Sequence, residues 1–165
     1  VTTDRKYMNG IFSMIHNKNN STTKLQQYLA QQRKVRENIC VLIIEEQIFV
    51  RQILIDILKT KRGYDVIVAK NASQGLALFM ENAPDIVFMD LDLPNQSGYE
   101  LLFKLQKLDQ NPFIIALSEY SSLENVQKTI NIGAVGFVAK PFTESKIEVY
   151  INSYITKYQE RLEQV

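Results

Sequence analysis

Five short apolar runs, each followed by a stretch of helical spacing, constrain most strongly how this chain can fold. Ile39–Ile44 is continuous, apolar and β-branched, which predicts a strand buried on both faces. Gln47–Lys61 carries Val50, Ile53, Leu54, Ile57 and Leu58 at helical spacing, and Gly63 closes it. Tyr64–Ala69 is a second strand, and Asn71 caps a short helix with Leu76, Phe79 and Met80. Asp85–Met89 is a third strand, entered through Pro84, and Gly98–Leu108 is helical with Leu101, Leu102, Leu105 and Leu108 on one side. Pro112–Leu117 is a fourth strand, and the helix Ser122–Asn131 ends near Gly133. Val135–Ala139 is the fifth. Thr143 caps a long helix reaching Gln164, with a stripe of Ile147, Ile151, Tyr154, Ile155, Tyr158 and Leu162. This alternation predicts an α/β domain, a doubly wound five-stranded parallel sheet covered by helices on both faces. Right-handed crossovers then place a ligand at the carboxyl ends of the strands.

What precedes residue 39 differs in charge and composition. Residues 1–38 carry seven Lys/Arg against Asp4 and Glu37, a net of +5, whereas residues 39–165 carry twelve against sixteen acids, a net of −4. The boundary falls near residue 38, with 1–38 a basic N-terminal extension or linker, partly helical, and 39–165 the main domain with an extended C-terminal helix. A helix is predicted from Ser21 to Glu37, with Leu25, Tyr28 and Leu29 on one face, after a break at Asn17–Asn20. A solvated linker, a helix docking on a partner or a second copy, and a basic nucleic-acid arm are its three readings. The whole chain is balanced at +1, which argues against a nucleic-acid clamp. Cys40 is the single cysteine, so no internal disulfide forms, as in a reducing, cytoplasmic compartment. No apolar run approaches a membrane span and no signal peptide heads the sequence. The chain opens on Val1, as a fragment or a processed product would.

The predicted strand ends carry the chemistry. Strand one ends in Glu45 and Glu46, strand three in Asp90, strand four in Ser118, strand five in Lys140 before Pro141. Carboxylates held together repel, and a divalent cation bound by oxygen, most simply Mg²⁺, removes that cost. A carboxylate, a metal, a lysine and a hydroxyl suit phosphoryl chemistry: attack in line, with cations neutralising the equatorial oxygens.

With these residues in place, residues 39–151 resemble the receiver domain of two-component response regulators (CheY-like). The matching pieces are the acidic pair Glu45–Glu46, the loop from Asp90 through Pro94 to Gly98, the strand ending in Ser118, and Gly136-Phe137-Val138-Ala139-Lys140-Pro141-Phe142. Glu46 to Asp90 spans 44 residues, Asp90 to Ser118 28, and Ser118 to Lys140 22. The resemblance implies a flavodoxin-like strand order, 2-1-3-4-5. It implies Asp90 as phosphoacceptor from a histidine kinase or phosphotransfer protein. It implies Mg²⁺ held by Glu45, Glu46, Asp90 and the backbone carbonyl of Asp92. Ser118 would bond the phosphoryl group and shift inward, Phe137 would turn in behind it, and Lys140 would pair with the phosphoryl group. Pro94 and Gly98 would shape the loop. The output would be a repacked face for a downstream protein or output domain, with homodimerisation a further possibility and no direct nucleic-acid or membrane contact. Such a domain is a signalling acceptor rather than an enzyme.

Three positions depart from the family pattern. Both acids of the pair are Glu, and the extra methylene moves the Glu46 carboxylate about 1.5 Å outward, against the strict octahedral demands of Mg²⁺. Asp92 adds negative charge beside the acceptor. Glu119 places a bulky anion after Ser118. These departures keep two rivals in view. One is a pseudo-receiver that uses the same surface without phosphate. The other is a Mg²⁺-dependent phosphohydrolase, for which Asp92 sits two residues after the nucleophile although the nucleophile lies on the wrong strand. His16 reads as solvated, Cys40 as inert core, and Tyr150, Tyr154 and Tyr158 as a helix face.

Overall fold

The computed structural model describes residues 21–109 and 111–163. Five parallel strands form one sheet in the order β2-β1-β3-β4-β5, with β1 Cys40–Ile44, β2 Asp65–Ala69, β3 Ile86–Asp90, β4 Phe113–Ser118 and β5 Gly136–Ala139. Among the described residues the helices that accompany them are α1 Ser21–Lys34, α2 Ile48–Ile55, α3 Ala72–Asn82, α4 Gly98–Leu108, α5 Leu123–Ile132 and α6 Glu144–Glu163. The expected doubly wound order is therefore present.

The central strands read as unbroken apolar runs because both of their faces are covered. Every residue of β1, β3 and β4 is buried. Alternate side chains feed two cores. Leu42, Ile44, Val87, Met89, Ile114 and Ala116 pack with Phe79, Leu101, Leu102 and Leu105 on one face. Val41, Ile43, Ile86, Phe88, Ile115 and Leu117 pack with Leu54, Leu58, Ile147 and Ile151 on the other. Edge strand β2 is only partly covered.

Three details differ from the periodicity. Helix α2 passes into a π-helical stretch, Asp56–Lys61, before Gly63 turns the chain with φ +72. The wider turn brings both Ile57 and Leu58 into the core, while Ile53, expected on the buried stripe, stays 49% exposed. On α6 the stripe fades from fully buried Ile147 and Ile151 to exposed Tyr158, and the side chain of Leu162 lies outside the described residues. The expected helix of the extension is present as α1. Its Leu25 and Leu29 are buried in the core shared with α3 and α4, and its end is tied by Arg33 to Asp109 at 2.5 Å and by Arg36 to Asp85 at 2.8 Å. The Asn17–Asn20 break and His16 lie outside the described residues. Among those residues, no helix is long and apolar enough to cross a membrane.

Candidate functional site

The carboxyl ends of β1, β3, β4 and β5 form one rim, because a parallel sheet with this register sets those ends level. Ile44 pairs with Met89, Asp90 with Leu117, and Ser118 with Ala139. Glu45 and Asp90 thus emerge side by side, and Lys140 follows directly after β5.

Lys140 is the hub. Its Nζ lies 2.8 Å from Glu45 Oε2 and 3.1 Å from Asp90 Oδ1, with all three side chains at most 5% exposed. The backbone also holds the lysine: its N–H donates to the Ser118 carbonyl at 2.8 Å. The Lys140–Pro141 peptide is cis. Burial pulls the ammonium pKa down, but Glu45 and Asp90 outweigh it and raise it above the ordinary lysine value, so Lys140 is a firm cation. Asp90 is not balanced in the same way. Burial pushes its carboxyl up to about 6, with Glu45 adding to the rise, while the Asp92 N–H and Lys140 compensate only in part.

The loop after Asp90 is shaped by Gly98. A Cβ there would lie 2.4 Å from the Leu91 Cα and 2.8 Å from the Asp90 carbonyl oxygen, so only glycine lets α4 start this close to the site. The turn directs the Asp92 N–H onto Asp90 Oδ1 at 2.9 Å. Asp90 Oδ2 accepts no hydrogen bond from the described residues. Glu45 Oε1 accepts the Gln47 N–H at 2.9 Å, so Glu45 both opens α2 and pairs with Lys140.

Glu45, Asp90, Asp92, Ser118 and Lys140 are brought together on this rim. Glu46 is not, since its side chain is exposed. Ser118 Oγ donates to Asp92 Oδ2 at 2.9 Å rather than facing Asp90. Phe137 is half-buried against the core of the α3/α4 face. The Tyr150 hydroxyl accepts from its N–H and donates to its carbonyl, both at 3.3 Å. Sequence reasoning placed Tyr150 on a helix face and did not connect it with Phe137. It also missed Arg51, whose guanidinium donates to the Glu45 carbonyl at 2.9 Å and to the Glu46 carbonyl, fixing the β1–α2 turn. The spacing of Arg51 one turn into the helix was the only signal.

For a divalent cation, the described residues contain no cluster of three or more His, Cys, Asp or Glu side chains. The hard ion Mg²⁺ needs fewer: one or two carboxylates with carbonyl, phosphate and water oxygens. Asp90, short of positive charge, and the Asp92 backbone carbonyl are donors of that kind, while Glu45 is engaged by Lys140 and the exposed Glu46 side chain stands off the rim.

Comparison with known proteins agrees with this arrangement. Residues 41–152 match the family of the response regulator receiver domain. The chain is 30% identical over 115 residues to sporulation initiation phosphotransferase F of Bacillus subtilis, covering 70% of this chain and 92% of that protein. It is 35% identical over 113 residues to chemotaxis protein CheY of Thermotoga maritima, covering 68% and 93%. Among solved structures, a CheY-like receiver domain protein from Methanospirillum hungatei superposes with a TM-score of 0.70 at 27% identity, over 76% of this chain and 99% of that one. A matched family spanning two thirds of the sequence, a sheet in its strand order and an acid–lysine rim at the strand ends lead to one conclusion: this chain belongs to the response regulator receiver domains of two-component systems.

Proposed function

We propose that the chain accepts a phosphoryl group on Asp90 from a histidine kinase or phosphotransfer protein and transmits its presence through the rim. The observation that carries this reading is Lys140 Nζ at 3.1 Å from Asp90 Oδ1, on a rim shared with Glu45 and Ser118. Lys140 and the Asp92 N–H both engage Oδ1, which leaves Oδ2 as the nucleophile. Oδ2 forms a bond to phosphorus while the bond from phosphorus to the donor imidazole nitrogen breaks, and the freed imidazole keeps the electron pair. Lys140 neutralises the charge that gathers on the phosphoryl oxygens. Asp90 and the Asp92 carbonyl, joined by Glu46 once its exposed side chain turns inward, would hold Mg²⁺, which supplies charge neutralisation to the same oxygens when bound. The added charge of about −1.5 to −2 is the signal. Ser118 and Phe137 are the switch positions, and a partner protein or output domain reads the repacked face. The division into an extension, 1–38, and a receiver body, 39–165, and a reducing, cytoplasmic setting consistent with buried, unpaired Cys40, belong to the same proposal.

A phosphate-independent pseudo-receiver is the second reading. Two observations favour it: exposed Glu46, and a Ser118 hydroxyl already engaged by Asp92. The phosphohydrolase reading has no support beyond Asp92, because the acceptor lies on β3. Incubation with acetyl phosphate and Mg²⁺, followed by intact mass, separates the two. The expected result is a gain of one phosphoryl group that is absent from Asp90→Asn. A folded wild-type chain with no gain overturns the acceptor reading and favours the pseudo-receiver.

A further inference from the structure

Phosphoryl transfer to Asp90 leaves one contact at the mouth of the site without a role. Asp92 reaches across from the loop after β3 to the end of β4. Its Oδ2 accepts both the Ser118 hydroxyl and the Glu119 N–H, each at 2.9 Å. Ser118 Oγ itself accepts the Tyr120 N–H at 3.0 Å, so its one proton is committed to Asp92. The Glu119 carboxylate is turned aside, accepting from Gln47 Nε2 at 3.0 Å across the rim. One carboxylate oxygen held by a hydroxyl and a backbone amide is an anion in a two-donor cradle, the stronger, charge-assisted kind of hydrogen bonding.

A phosphoryl group on Asp90 brings three acceptor oxygens to the tops of β3, β4 and β5. Lys140 Nζ can meet one of them. On the β4 side the donors are the Ser118 hydroxyl and the Glu119 N–H, both spent on Asp92. Two anions cannot share them without like-charge repulsion.

We propose that Asp92 is a built-in anionic competitor. Its carboxylate occupies the Ser118 and Glu119 donors in the resting protein and has to leave before a phosphoryl oxygen can take them. This rests on Asp90 being the acceptor. The resting state is stabilised by an internal stand-in, so a given donor yields less of the switched form than it would without Asp92. Asp92 is a positioning residue, acting through Ser118 and Glu119.

The test is a beryllofluoride titration of the full chain in Mg²⁺, followed by ¹⁵N–¹H amide resonances. Wild type, Asp92→Ala and Asp92→Asn are compared, with Asp90→Asn as the no-adduct control. The half-saturating concentration is expected to fall about tenfold in Asp92→Ala, equivalent to ~1.4 kcal/mol, and by less in Asp92→Asn, which keeps an acceptor without the charge. The Glu119 amide proton is expected to move upfield in Asp92→Ala before any beryllofluoride is added. Half-saturation that is unchanged, or weaker, in both Asp92 variants overturns the competition. A Glu119 amide that does not move overturns the contact itself. If neither wild type nor Asp92→Ala takes up beryllofluoride while the Glu119 shift is present, the acceptor reading fails, and the competition with it.

Discussion

Asp90 sits at the end of β3 with its carboxyl pushed up to about 6, from an ordinary 3.8, chiefly by burial and then by Glu45. Between those two values the folded chain keeps a proton that the unfolded chain has released, so this group makes stability fall as pH rises through the window. Asp90→Asn removes the penalty. In metal-free buffer at pH 7 the variant is expected to be the more stable. Each pKa unit corresponds to about 1.4 kcal/mol, so the gain is expected to be on the order of 1–3 kcal/mol. Urea unfolding at pH 7 and below pH 4 checks this: the gain is present at the first and closes at the second, and equal midpoints at pH 7 contradict it. The placement of Asp90, Glu45, Ser118 and Lys140 on one rim was readable beforehand, because each directly ends or follows an apolar run and parallel strands end level. The reach of Asp92 to Ser118 and the exposure of Glu46 were not. The first depends on a side-chain rotamer in the loop that Gly98 draws tight, the second on the β1–α2 turn that Arg51 fixes, and no local pattern encodes either.

At the level of elements, α1 is the least obvious part of the fold. Leu25, Tyr28 and Leu29 could be put on one face from their spacing alone. What that face meets is assembled from α3 and α4, more than 40 residues away in sequence, so periodicity had nothing to say about it. Leu29 is fully buried in that core. Leu29→Ala is therefore expected to cost about 2–5 kcal/mol, the range for a leucine truncated in a packed core. A solvent-exposed helix would lose only a few tenths of a kcal/mol from the same change. The urea midpoint of the full chain distinguishes the two, and an unchanged midpoint would mean that α1 does not pack as described. The π-helical end of α2 was equally illegible. Asp56–Lys61 contains no proline or glycine to mark it.

Across the molecule the charged groups gather at opposite ends of the sheet. One end carries the rim of Glu45, Asp90 and Lys140. The other carries a clamp in which Asp85, just before β3, accepts from Arg36 at 2.8 Å, from the Cys40 N–H at 2.8 Å and from the Tyr154 hydroxyl at 3.2 Å. Asp85 thereby joins the chain after α1, the start of β1 and helix α6. Arg33 adds hydrogen bonds to the Ala83 and Pro84 carbonyls. Strands of five residues at ~3.3 Å each separate the two ends by roughly 15 Å, far enough for changes at one end to add independently of the other. Removing residues 1–38 takes away Arg33, Arg36, Leu25 and Leu29 together. It leaves Asp85 with the Cys40 and Tyr154 donors but no counter-charge. The truncated chain is expected to lose several kcal/mol of stability, at least the cost of the two buried leucines, while its half-saturating beryllofluoride concentration stays within about twofold of the full chain because the rim is untouched. Urea unfolding and the beryllofluoride titration, run on the same two proteins, read the two halves of that expectation separately. A truncated chain as stable as the full one would make 1–38 a passenger on the domain. A stable truncated chain with altered beryllofluoride binding would make it a lever on the site, with the contacts at Asp85 as the route.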